Sequence, residues 1–180
     1  MTHPHDQSQY QVRFDWGLAG AETIGADVDV IVVVDVLSPA LPDVDGLRPA
    51  VVAGDLRNRT AVAEWVLARQ AEKGDRFAVA VIAAGETRED GSIRFSVEDQ
   101  LGAGAIIDAL ATVGIDYCSP EAAAACAAFT GLRGAVGHLV SASASGKELI
   151  EGGFGADVAL ASELDSSNVV PVLKEYAFTE

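Results

Sequence analysis

The stretch "RFSVEDQLGAGAIIDAL", Arg94 to Leu110, places two adjacent carboxylates, Glu98 and Asp99, at the head of a run of small and aliphatic residues. Acids at a helix start have an ordinary explanation, since they interact well with the macrodipole and the free N–H groups there. Two more acids stand where apolar runs end. Asp35 closes a valine run, and Glu86 follows Gly85 after "RFAVAVIAA". Convergent carboxylates would offer hard oxygen ligands to Mg2+, which often bridges to a phosphate. On a helix, residues three and four apart share a face, so Asp99 falls on the stripe of Ala103, Ile106 and Leu110, with Glu98 turned about 100° away. Asp35, Glu86 and Asp99 could therefore meet at one cation; the competing reading for each is a turn or cap residue.

An anion has fewer candidate partners. "GDLRNRT", Gly54 to Thr60, sits where a helix should begin after a strand, so its amides with Arg57, Asn58 and Arg59 could hold a phosphate. Arg94 precedes the acidic helix and could reach the same group. Lys147 lies in "SASGKEL", but no GxxxxGK[ST] pattern accompanies it. His138 has no partner in sequence, and no GxSxG or Cys/His arrangement points to covalent catalysis. Cys118 and Cys126 are too far from any CxxC or His pattern to encode a disulfide framework or a zinc site.

The elements that must position these residues are legible from periodicity. "YQVRFDW" alternates as a strand, and "GLAGAETIGA" after it reads as a loop or one helical turn. The β-branched run Val30 to Val34 predicts a strand buried on both faces, as in the centre of a parallel sheet. "PALPDVDGLRP" looks too short for a parallel crossover before the apolar run from Ala50 to Ala53, so either the two strands are not parallel neighbours or the chain has lost a segment there. Asp55 to Lys73 has helical spacing with Gly74 as its stop, and Arg76 to Ala84 is a further buried strand. A polar loop leads into the acidic helix, and Ser119 with Pro120 starts an alanine-rich one. Short helices and a last strand-like piece follow.

Composition bounds the rest. A chain of 180 residues, 49% hydrophobic, fits one α/β domain, here residues 10–180 behind a flexible tail over 1–9 that includes His3 and His5. A formal net charge of -15 argues against nucleic acid and against an anionic membrane surface. No signal core or apolar run of about 20 residues is evident, so the expectation is a soluble, cytoplasmic protein without a membrane partner.

Taken together, "VVVDVLS", "VIAAGETREDGSIRFSVEDQLGAGAIIDAL", "SPEAAAACAAF" and "SGKELIEGGFGADVALASELDSSNVVPVL" resemble the 2-phosphosulfolactate phosphatase (ComB) family, in order along nearly the whole chain. The resemblance implies a three-layer α/β/α fold with a mostly parallel sheet. It also implies Mg2+-dependent hydrolysis of 2-phosphosulfolactate, or a similar small anionic phosphate ester, on a route to coenzyme M. Carried over by position, it makes Asp35, Glu86 and Asp99 catalytic, with Asp35, Glu98 and Asp99 holding the metal. Arg57, Asn58, Arg94, Ser145 and Gly146 would bind the phosphate. The chain departs from the family pattern between Asp35 and Ala50, where a helix and a polar loop have no counterpart. The alternative is a catalytically impaired member that keeps the fold as a binding or oligomer-forming module, with a homodimer left open.

Overall fold

The valine run becomes β2, Val30–Val34, with all five side chains buried. In the computed structural model, which describes residues 4–37 and 49–174, β2 lies at the centre of a five-stranded sheet. The spatial order is β1 (Val12–Trp16), β4 (Val79–Ala83), β2, β3 (Ala50–Gly54) and β7 (Val172–Lys174). The first four run parallel, and β7 joins the β3 edge antiparallel. Unbroken β-branched runs suit such strands because helices cover both faces and no solvent face asks for alternating polar residues.

On one face lies α1, Gly17–Ile24, whose Ala21 and Ile24 pack on Ile31, Val33, Val51, Ala80 and Ile82. On the other lie α2 (Arg59–Lys73), α3 (Val97–Thr112) and α4 (Pro120–Leu132), enclosing Val30, Val32, Val34, Val79 and Val81. This is the expected three-layer α/β/α fold. The chain passes through α1 from β1 across β4 to β2, and through α2 from β3 back across β2 to β4. Opposite directions on opposite faces give both crossovers the same hand, as parallel units require.

Several local expectations change. "GLAGAETIGA" forms a full eight-residue helix, its length hidden by small residues that give little periodicity. Of the two alternatives for the short link, the first does not hold: β2 and β3 are parallel neighbours, in register from Val30 with Ala50 to Val34 with Gly54. The link between them falls largely on 38–48, so the surface expected at Ser38 to Gly46 lies outside the described residues, as does His3. The segment taken as a tail is tied down at Gln7. Its amide donates to the Phe14 carbonyl at 3.0 Å and accepts from the Phe14 N–H at 3.1 Å. Arg13, a strand residue with no sequence hint of burial, is 2% exposed. It pairs with Asp27 and donates to the carbonyl of Ile24 at the end of α1, where a cation is favoured.

The acidic helix starts where expected, and α4 is capped as expected: the Ser119 hydroxyl accepts the Ala122 N–H at 3.1 Å with Pro120 in the first turn. α4, a 3-10 turn at Arg133–Ala135 and α5 (Val136–Ala142) together make a run of 23 residues apolar enough by composition to cross a membrane, a length the sequence reading understated. Its Ala122, Ala125, Phe129, Val136 and Val140 face the protein's own core.

α3 and α4 pack closely because Gly104 has no side chain: a Cβ there would lie 2.2 Å from the carbonyl oxygen of Ala125. Since backbone must move to admit it, Gly104→Ala is expected to destabilise the fold by about 1–3 kcal/mol despite its better helix propensity. Urea denaturation reads this directly, and a stabilised variant would contradict the close contact.

Candidate active site

α1 leaves β1 on one face of the sheet while α3 follows β4 on the other, so the chain diverges at the carboxyl ends of these adjacent strands. That is where open α/β sheets bind ligands. Two glycines shape the divergence. Gly17 (φ +60) turns β1 directly into α1, and Gly85 (φ +65) turns the chain after β4. At Gly85 a Cβ would also meet Ile93 at 2.6 Å. After Gly85 comes a small hairpin, β5 (Glu86–Thr87) with β6 (Ile93–Arg94), and then α3.

Here a cleft of about 1130 Å3 opens between α1, the sheet, the hairpin, the start of α3 and α6, Ala144–Glu151. Asp35, Glu86, Glu98 and Asp99 all line it, together with Ser145. The strand-end and helix-start acids line the same cleft.

Their roles differ. Asp99 is 3% exposed, and its two oxygens accept the N–H groups of Val36, at 2.9 Å, and Gly85, at 3.0 Å. One side chain from α3 thereby joins the ends of β2 and β4. Burial pushes its carboxyl up to about 7, and the charges of Asp35 and Glu98 add to this against the two N–H bonds. Glu98 is also 3% exposed, yet no hydrogen bond or ion pair to its carboxylate occurs among the described residues, and it faces the cleft. Its side chain is packed by the fold while its carboxylate is left open to the cleft, where a ligand can reach it. Glu86 sits on the hairpin and pairs with Arg94 across it at 2.9 Å, both side chains being largely solvated.

Other expected residues are not brought here. Arg57 and Asn58 do not line the cleft, and the amides expected to hold an anion are already used by the chain's own acids. Asp55 accepts the N–H groups of Arg57 and Asn58, at 2.8 and 3.0 Å, and Asp165 accepts that of Thr60 at 3.1 Å. The Asn58 amide donates to the carbonyls of Ala53 and Val169 and accepts from Asp55. Arg59, also suggested for an anion, pairs with Asp108 and Asp165, each at 2.9 Å. Gly146 is buried, its N–H held by the Ser143 hydroxyl that caps α6. Cys118, whose thiol is pushed by burial up to about 11, stays protonated and offers no nucleophile at neutral pH.

Sequence reasoning missed two acids of the cleft, Glu22 on α1 and Glu148 on α6, because neither stands at a strand end or a helix start. With them the described lining carries the carboxylates of Glu22, Asp35, Glu86, Glu98, Asp99 and Glu148 and no Arg, Lys or His. No three His, Cys, Asp or Glu side chains among the described residues enclose a metal ion by themselves. Mg2+ asks for less, being held by one or two carboxylates with water and a substrate phosphate completing its shell. Glu98, buried and unpartnered, with Asp35 beside the same opening, fits that donor set.

No curated protein matches this chain. The sequence profile of one family, described as 2-phosphosulpholactate phosphatase, matches residues 38–176, which span β3, β4, β7, the hairpin, the acidic helix and the helices after it, and the chain belongs to that family.

Proposed function

We propose that this protein is a Mg2+-dependent phosphatase acting on 2-phosphosulfolactate or a similar small phosphate ester, with its site in the acid-lined cleft. The family membership supports the reaction class. The observation that carries the metal requirement is the charge of the lining: six carboxylates and no basic side chain among its described residues. A phosphate dianion entering alone would meet a described lining whose charges are all negative, and a bridging divalent cation removes that repulsion.

Asp35 and Glu98 are the groups that would hold the cation. When bound, Mg2+ would polarise the phosphoryl oxygens and neutralise the charge that develops there. Asp99 fixes the ends of β2 and β4, so that Asp35 and Gly85 keep their places around the opening. Glu86, on the exposed hairpin, stands where it can accept a proton from an attacking water, and Arg94 holds its carboxylate in place. Ser145 lines the cleft from α6 and can donate to a phosphate oxygen.

Phosphate release from 2-phosphosulfolactate and other small esters, with Mg2+ and with a chelator, tests the proposal. Turnover is expected only with the metal. Absence of release by folded protein in millimolar Mg2+ would leave the family's alternative, a non-catalytic binding or oligomer-forming module.

A further inference from the structure

α3 begins with its own N–H groups unused. Those of Val97, Glu98 and Asp99 find no acceptor among the described residues, and the first to be bonded is that of Gln100, to the Ser96 carbonyl at 3.0 Å. The two acids in this turn do not take them, since Asp99 accepts from Val36 and Gly85 while Glu98 opens to the cleft. Ser96 holds the N-cap position in extended backbone, yet its hydroxyl makes no cap bond. Ser119 and Ser143, at the same position of α4 and α6, both cap. Ser96 is 7% exposed and lines the cleft, and its hydroxyl is paired with nothing among the described residues. Nor is that hydroxyl sealed off: among those residues the side-chain polar atom that is both enclosed and unpaired is Nε of Arg69.

We infer that the phosphoryl group of the ester seats on the start of α3, where its oxygens accept from the Ser96 hydroxyl and from the N–H groups of Glu98 and Asp99. The subsite rests on the phosphatase reading above and gives the phosphate its place in the cleft. These two amides are the ones an N-cap side chain ordinarily satisfies, so a phosphate oxygen supplies the cap that Ser96 withholds. The N-terminus of a 16-residue helix favours an anion through its dipole as well as its free N–H groups. Glu98 stands in the same turn, so the carboxylate that anchors the cation and the donors for the anion lie side by side. At the start of α2, where the sequence led us to expect the anion, Asp55 and Asp165 already take the amides. At the start of α3 the corresponding groups are unpaired, and they line the acid-bearing cleft.

Calorimetric binding of inorganic phosphate to the full chain in Mg2+ tests this, comparing the native protein with Ser96→Ala and Ser96→Thr. Ser96→Ala should keep its urea midpoint and its Mg2+ affinity, because the hydroxyl caps nothing and holds no cation, and should bind phosphate at least about tenfold more weakly. Ser96→Thr, which keeps a hydroxyl, should recover most of that affinity. A native phosphate affinity in Ser96→Ala, a midpoint lowered as by loss of a cap, or no phosphate binding by the native protein would overturn the inference. Methanesulfonate is the control for a sulfonate end of the ester: if it loses affinity in Ser96→Ala and phosphate does not, the donors serve that end and the assignment fails. Phosphate release from 2-phosphosulfolactate separates the two claims. Release by Ser96→Ala with the native kcat and KM sinks the subsite and leaves the phosphatase; phosphate binding that depends on Ser96, without release from any ester, sinks the phosphatase and leaves the subsite.

Discussion

Asp99→Asn is expected to reverse its effect on stability as pH rises. In the native protein the Asp99 carboxyl is raised from the ordinary 3.8 to about 7, chiefly by burial. Between these values the folded state binds more protons than the unfolded one, so this group's contribution is complete below about pH 4 and is lost as pH rises through about 7. The shift corresponds to a loss on the order of 4 kcal/mol. Asparagine has no such titration, but its amide nitrogen cannot accept a hydrogen bond. One of the N–H groups of Val36 and Gly85 is then left unsatisfied, at a cost of about 1–3 kcal/mol at any pH. Near pH 4.5 the variant should therefore be less stable than the native protein; near pH 8 it should be equal or more stable. Urea denaturation of both proteins in a chelator across this range measures the difference. A gap that stays constant with pH would mean that Asp99 is not raised, and one that widens would reverse the assignment.

Glu98→Gln should do the opposite: little change in folding and a large loss of function. The substitution keeps the shape of a side chain that is 3% exposed and breaks no hydrogen bond or ion pair among the described residues, because the carboxylate opens to the cleft, so stability should hold. If Glu98 anchors the cation, Mg2+-dependent phosphate release should fall on the order of 10²–10⁴-fold, the equivalent of several kcal/mol of transition-state stabilisation. Mg2+ binding, followed by calorimetry, should weaken by at least about tenfold. A variant that is as stable as the native protein and still turns over at the native rate in Mg2+ would remove Glu98 from the site. Both substitutions change one carboxylate to its amide at neighbouring positions of one helix, yet their expected consequences differ because only Asp99 has its oxygens satisfied by the fold.

The strands that carry the site were legible because the centre of a parallel sheet is buried on both faces, which forces runs such as Val30 to Val34 and Val79 to Ala83. The start of the acidic helix and the Ser119 cap follow from chemistry within a few residues. α1 was not legible as a whole helix: "GLAGAETI" owes its place to the packing of Ala21 and Ile24 on the sheet, not to a marked polar and apolar face. Around Arg57 and Asn58 the amides expected to hold an anion are taken by the chain's own acids, Asp55 locally and Asp165 over a long range. Asp165, more than a hundred residues later, takes the N–H of Thr60 and the guanidinium of Arg59, and no local pattern announces it.

What the sequence determined alone is therefore the fold class, the family and the presence of acids at strand ends and at one helix start, because each is written in local pattern or in matched residues. Only the tertiary structure decided how those acids divide their work. Asp99 is turned toward two backbone amides and Glu98 toward an open cleft, and the same packing brings Glu22 and Glu148 to that cleft from separate helices. The physical reason is that a carboxylate's role depends on which donors reach it, and in this protein those donors come from strands and loops distant in the chain.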